Sequence, residues 1–455
     1  MGIPDGPGVA GLVDDPSDGQ DADHSGRVLV GGMTGPDRSH GGGSIAGGVH
    51  RMYAVSTRGR AGRASVRPGT GVTSVRPVEH GGSTVLVEIA SEKKVIGRVR
   101  VSANVPLDDT LTPFMAAALP IALHRRTPLH LQGEVDGVAL EHIGEVGALL
   151  SGWYPALTRV PVTAEAVVPG SQQRTDDPPR STGGVGCFFS GGVDSLYSAV
   201  KHAGADLTHL IFLTGFDISL RDPVRASSAL RANRVVADRL GLQLIEMTTD
   251  LRSVGDRYAE WGPVYHGAAL AMAGLLLSPV LDRVLVPSTF QSEFMHPWGT
   301  HPDLDPLWSS SRVRFVHDGD ERTRPQKVAV LADHPFALDH LRVCWEQRGE
   351  GTTTYNCGRC EKCVRTMVNL RVVGAAGKCA TLPADLTPEQ LADLPRVPGR
   401  QIPSRENLAE LDRRGRHDPR LRSALLRRLR YDAVWGAQAA AEAQIRSVAR
   451  RLLIS

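Results

Sequence analysis

Aromatic side chains are scarce in this 455-residue chain, at 5%, and none occurs before Tyr53. Gly supplies 14 of the first 50 residues. So little apolar surface cannot offset the entropy of ordering, and residues 1–75 are expected to be unfolded, with no function assigned to them. Charge of one sign is also lacking. The formal net charge is +3, too small at this length for a global field that would hold nucleic acid. No long hydrophobic run exists either. The longest, roughly Ala268 to Leu281, falls short of the ~20 residues that span a bilayer, so no membrane partner is expected. The basic-then-apolar start of a secretory signal is missing, which makes the cytoplasm the expected compartment. Cysteines number six, and in that compartment thiols bind metal or do chemistry more often than they pair. There is no G-x-x-x-x-G-K-[ST] loop, so nucleotide chemistry of the Walker type is excluded.

What is present centres on Phe188-Phe189-Ser190-Gly191-Gly192-Val193-Asp194-Ser195. The apolar run before it (Val185, Cys187, Phe188, Phe189) reads as a buried strand, and Leu196 to Val200 as the first turns of a helix. Two glycines between strand and helix let the backbone approach a ligand closely. The first helical amides lack intrahelical partners and lie at the positive end of the dipole, which makes a phosphate seat. Ser190 and Ser195 add hydroxyl donors. Asp194 would repel an anion, unless it holds a Mg²⁺ ion that bridges phosphates. The plain alternative is a capped strand-to-helix turn.

From about Arg76 to Val168 the pattern is that of a small α/β domain. Ser83–Ile89 and Val95–Val101 read as strands around a polar turn, Thr112 to His124 as a helix, Leu129–Leu131 as a strand, Leu140 to Trp153 as a helix and Val160–Val168 as a strand. Gln172 to Gly184 reads as a linker. Beyond Val185 strands and helices alternate, the mark of a doubly wound parallel sheet. Ligands of such sheets sit beyond the carboxyl ends of the strands, so Ser190, Thr214, Asp217 and Ser288 are expected at one mouth. The long Gln291–His317 segment is read as a lid, since loops of this length inside a domain are usually functional. A metal site on His296, His301, Asp303 and Asp305 is its less favoured reading. Arg324 and Lys327 either face the triphosphate or the activated carboxylate, or are solvated. With Asp194 they form the candidate catalytic set.

Cys357, Cys360 and Cys363 are spaced C-x₂-C-x₂-C, and Cys344 lies 13 positions upstream of Cys357. Four such thiolates make a closed tetrahedral zinc site. An iron–sulfur cluster is the competing occupant. Cys187 reads as a core residue and Cys379 as an incidental thiol.

SGGVDS resembles the signature of the PP-loop ATP pyrophosphatases, which split ATP between the α and β phosphates. With the four cysteines following the loop, residues 185 to 370 are similar to the 7-cyano-7-deazaguanine synthase family of the queuosine pathway, as a separate branch. The resemblance implies an adenine nucleotide α-hydrolase-like fold of the HUP type. It also implies ATP and Mg²⁺ on Ser190, Gly191, Gly192, Val193, Asp194 and Ser195, and Zn²⁺ on Cys344, Cys357, Cys360 and Cys363. The implied activity is adenylation of a small-molecule carboxylate (or amide), followed by attack of ammonia or an amine. A PP-loop sulfurtransferase acting on a tRNA base or small molecule is the alternative. The N-terminal domain and the C-terminal tail are extra to that family, and its deazaguanine-binding residues have no counterpart here.

The expected organisation is therefore an unfolded 1–75, a small α/β domain and linker at 76–180, an ATP-binding domain at 181–340, a zinc module at 341–375 and an Arg-rich helical tail at 376–455. From Arg405 to Ser455 there are 12 Arg and 6 acidic residues. Leu421, Leu425, Leu426 and Leu429 have helical spacing, so an amphipathic helix on the body is favoured over an RNA-binding one. tRNA is thus the less favoured partner, and a homodimer is compatible with the sequence.

Overall fold

A computed structural model describes residues 71–92, 94–169, 183–344, 355–394 and 401–430, all within the unit Arg67–Ser455. Most of the stretch read as unfolded, nearly all of the linker and the end of the basic tail lie outside the described residues.

Strands β1 (Thr73–Gly81), β2 (Thr84–Ser91) and β3 (Lys94–Ala103) form an antiparallel meander. Helix α1 (Thr112–Arg125), β4 (Leu129–Asp136), α2 (Gly137–Trp153) and β5 (Val162–Val168) follow. The alternation that begins at Gly184 gives β6 (Gly184–Phe188), α3 (Val193–His202), β7 (His209–Thr214), α4 (Pro223–Leu240), β8 (Gln243–Thr249), the one-turn α5 (Arg252–Gly255), α6 (His266–Leu276), β9 (Leu281–Pro287) and β10 (Arg314–Asp318). The remaining labelled helices are α7 (Arg324–Leu331), α8 (Pro335–Asp339), α9 (Glu361–Val373), α10 (Pro388–Ala392) and α11 (Ile402–Arg413). A further helix covers 419–430.

All ten strands belong to one sheet, in the order β10-β9-β6-β7-β8-β3-β2-β1-β4-β5. From β10 to β8 every pairing is parallel. Chain order reverses between β6 and β9, where β6 pairs with β7 on one side and β9 on the other. Strand β3 joins β8 antiparallel over Val101↔Thr249, Ser102↔Thr248 and Ala103↔Met247. The two α/β segments read as separate domains therefore share one sheet, and they share apolar contacts as well. Val87, Phe114 and Leu123 belong to the same buried cluster as Ile211, Met272 and Phe315. A second cluster forms on Val185, Cys187, Leu210 and Leu285 with α3, α7 and α9. Apolar residues of β6 and β9 divide between the two clusters, as required of parallel strands covered on both faces.

Two details depart from the sequence reading. Strand β1 starts at Thr73, inside the stretch read as unfolded, and buries only Thr73 and Val75. The Gln291–His317 segment is not a free lid. Leu304, Asp305 and Trp308 are buried, and His142 of α2 meets the Ser309 carbonyl through Nδ1 at 3.1 Å. Within the described part of the tail, Leu421 and Leu425 are buried in the second cluster while Arg422, Arg427 and Arg430 are exposed. No helix among the described residues is long and apolar enough to cross a membrane.

Candidate functional site

The Ser-Gly-Gly turn leaves β6 at the point of strand-order reversal, where open α/β sheets leave a crevice for ligands. Gly191 has φ +74°, which favours glycine, and a Cβ there would stand 3.0 Å from Asn233 Oδ1, a tight approach. Gly192 caps α3 without a side-chain bond to the helix amides. The amides of Val193, Asp194 and Ser195 thus lack intrahelical partners and aim their dipoles outward. The serines knit the turn to itself. Ser195 Oγ accepts from Ser190 N at 3.2 Å and donates to Gly192 O at 3.2 Å, while Ser190 Oγ accepts from Gly192 N at 3.3 Å. Their first role is to shape the loop.

Asp194, read as a Mg²⁺ ligand, is held by two cations. Arg324 Nη1 donates to its Oδ2 at 2.6 Å, and Lys327 Nζ stands 3.5 Å from Oδ1. Burial pushes the Asp194 carboxyl up, but the charges of Arg324 and Lys327 outweigh it and hold the carboxyl below its ordinary value. Lys327 has no exposed side-chain surface and donates to Ser288 O at 2.6 Å, which ties the end of β9 to the loop. Burial pulls its ammonium down while Asp194 opposes the shift. The solvated reading of Arg324 and Lys327 is therefore overturned: both are buried and both face the loop.

Asp217, past the end of β7, adds a second carboxylate. The residue is exposed; desolvation by the neighbouring chain raises its carboxyl, but the charges of Lys362, His266, Arg342 and Arg252 bring it below the ordinary range. Arg365 of α9 is a further cation in the field of Asp194. Glu406 of α11 is 5% exposed. Its carboxyl is pushed up to about 7 by burial, against the pull of Arg324, Lys327 and Arg365. None of Arg342, Lys362, Arg365 or Glu406 stands out in the sequence, because a charged residue on a helix or in a loop reads as solvated until its facing partner is known.

Glu406 gives a signed expectation. Its folded pKa lies above the unfolded value, so its stabilising contribution is full below pH ~4.5 and is lost as pH rises through about 7. Glu406→Gln should remove this slope and raise stability at pH 8 by about 3 kcal/mol, from 1.36 kcal/mol per pKa unit. Thermal melts of both proteins at pH 5.5 and pH 8 check it. Parallel pH dependence in the two would show that Glu406 titrates as an ordinary carboxyl.

The four cysteines converge from two segments. Their Sγ atoms all lie within 4.8 Å of one another, and no other group of His, Cys, Asp or Glu among the described residues is arranged to hold a metal. His296, His301, Asp303 and Asp305 therefore do not form the site considered above. Asp305 instead accepts from His301 N at 3.2 Å and pairs with His317 Nδ1 at 2.6 Å. Gly358 has φ +67°. It turns the knuckle so that Arg359 N and Cys360 N donate to Cys357 Sγ at 3.5 and 3.2 Å. Cys357–Cys363 and Cys360–Cys344 sulfur separations are 3.9 and 3.7 Å. A tetrahedron with metal–sulfur bonds of ~2.3 Å has edges of about 3.8 Å, so the set fits a four-coordinate ion such as zinc. Asn356 fastens the two segments together. Its Oδ1 accepts from Val343 N and Cys344 N at 2.8 and 3.0 Å, and its Nδ2 donates to Leu341 O at 2.8 Å. Cys187 is buried in β6, and burial pushes its thiol up. Cys379 donates to Leu338 O at 3.2 Å, so both act as core residues.

No protein-family model, curated protein or solved structure matches the chain.

Proposed function

We propose that this protein is an ATP-dependent, AMP-forming ligase of the PP-loop pyrophosphatase type, on an adenine nucleotide α-hydrolase-like fold of the HUP type. The observation that carries the reading is the SGGVDS loop at the strand-order reversal, with unpaired α3 amides and the Arg324–Lys327 pair converging on it. This is an anion seat inside a largely buried cation cluster, where aligned donors act most strongly. The parallel order β8-β7-β6-β9-β10 is the doubly wound arrangement of nucleotide-binding sheets.

In this reading a substrate carboxylate oxygen attacks the α-phosphorus of ATP, and the bond to the bridging oxygen breaks to release pyrophosphate. A nitrogen nucleophile then attacks the carbonyl carbon and AMP leaves. Arg324, Lys327 and the loop amides would stabilise the departing pyrophosphate, and the chain's contribution is positioning and charge. Asp194 orients the two cations and is the residue that would hold Mg²⁺, which supplies charge neutralisation between phosphates. The charges of Lys362, His266 and Arg342 act on Asp217, past the end of β7, and an acceptor would enter there. The Cys₄ site would hold zinc. Sulfur separations of 3.7 and 3.9 Å suit thiolates on one ion better than thiolates spread around a multi-iron core.

Purified protein is tested by metal analysis and by incubation with ATP, ammonium and a panel of carboxylates, following AMP and pyrophosphate. About one zinc per chain with AMP formation is expected. Iron, or ADP in place of AMP, would overturn the reading. AMP formation that requires a sulfur donor would move the reaction to thiolation.

A further inference from the structure

Arg342 lies two residues before Cys344 and touches the phosphate loop with both backbone and side chain. Its N–H donates to Gly191 O at 2.8 Å. Its guanidinium donates to Ser190 O through Nε at 3.3 Å and through Nη2 at 3.2 Å. The residue is 6% exposed. In a trans peptide the carbonyl and the following amide point in opposite directions. Fixing the carbonyls of Ser190 and Gly191 on the Arg342 side therefore turns the amides of Gly191 and Gly192 away from it. A carbonyl rotated the other way would present a partial negative charge to a bound anion, and glycine's wide φ range makes that rotation easy unless something holds it. The anchor itself is rigid. Asn356, beside Cys357, holds the Leu341–Cys344 strip by three hydrogen bonds from its side chain.

We infer that Arg342 is a positioning residue of the polyphosphate seat, clamping the loop carbonyls so that the Gly191 amide stays available to phosphate oxygens while the Gly192 amide stays on Ser190 Oγ. Through the Leu341–Cys344 strip, the Cys₄ centre becomes the foundation on which the seat is set. This rests on the polyphosphate reading of the loop given above.

The full chain is titrated calorimetrically with ATP, inorganic pyrophosphate and adenosine, for wild type, Arg342→Lys, Arg342→Met and Arg342→Ala. Arg342→Met should bind ATP and pyrophosphate about tenfold or more weakly, with adenosine affinity and bound metal unchanged. Arg342→Lys should fall between the two. Ethylguanidinium added to Arg342→Ala should restore ATP binding, a rescue that a merely structural defect would not show. If Arg342→Met proves insoluble, Arg342→Lys and the rescued Arg342→Ala carry the test. Equal ATP affinity in wild type and Arg342→Met overturns the inference, as does weakening that is the same for adenosine and pyrophosphate. Wild-type protein that binds neither ATP nor pyrophosphate overturns the ligase reading first, and this inference with it.

Discussion

Cys357→Ser should yield insoluble protein, whereas Cys379→Ser should remain soluble with its metal content unchanged. The contrast follows from where the two thiols lie. Cys357 is one corner of a four-sulfur set whose other members, Cys344, Cys360 and Cys363, are all buried. Cys379 lies outside that set and donates to the Leu338 carbonyl, with the Thr381 hydroxyl 3.3 Å away. Zinc binding to such a site contributes about 10–16 kcal/mol, as large as the whole ~5–15 kcal/mol stability of a typical domain. The sulfurs belong to the apolar cluster that covers one face of the sheet. Losing the ion would therefore release α9, and with it the packing of α7 and α11. Soluble yield, metal stoichiometry and far-ultraviolet circular dichroism of the two variants read the outcome directly. Soluble, folded Cys357→Ser would show that the cluster contributes little to folding and would shift attention to a reactive role for its thiols.

Asp194→Ala should cost both stability and turnover. Were Asp194 a loop carboxylate devoted to Mg²⁺, the alanine variant would lose pyrophosphate release and keep its fold. The structure changes that expectation, because Asp194 is the counter-charge of Arg324 and of the fully buried Lys327. Removing one partner of a buried ion pair leaves the other charge uncompensated, typically at about 3–5 kcal/mol. Asp194 has a depressed folded pKa. Its contribution is present above the unfolded value near pH 3.8 and is lost only as pH falls through the folded one, the reverse of the Glu406 profile. Combining Asp194→Ala with Lys327→Met should recover part of the lost stability without recovering pyrophosphate release. A melt of the single variant indistinguishable from wild type would mean that the cations find other partners, and persistent turnover would remove Asp194 from the chemistry.

The parts of the site that local chemistry encodes could be read from the sequence. A Ser-Gly-Gly turn with Asp194 and Ser195 at a helix start marks a strand-to-helix junction, and the knuckle spacing of Cys357, Cys360 and Cys363 predicts convergence before Cys344 is placed. The strand–helix alternation after Val185 was equally plain, because parallel strands buried on both faces leave continuous apolar runs. Residues whose role depends on a facing element were not legible. Lys362, Arg365 and Glu406 look like helix surface until α9 and α11 pack on α7, and Arg342 looks like loop surface until the Ser190–Gly191 turn lies against it. Strand β1 was missed because Pro77, beside a bulge, and six exposed residues from Arg76 to Gly81 mask its pairing with β2. Strand β10, with Arg314, His317 and Asp318 among its five residues, resembles loop until β9 is beside it. The single sheet was hidden for the same reason, since no local signal marks Val101–Ala103 as the partner of β8.

That three-pair union between β3 and β8 also decides how the molecule can be divided. Without residues 71–169, β8 would present a row of unpaired backbone donors and acceptors to solvent, a ready template for adhesion between chains. The N-terminal meander is thus a shield against self-association for the parallel half of the sheet. The two strands that meet there are separated by well over a hundred residues of chain, so the shield closes only after a long loop has been gathered, which favours slow folding. The parallel half would spend that interval with an open edge, and the fold's vulnerable moment lies in its assembly and not in its finished state.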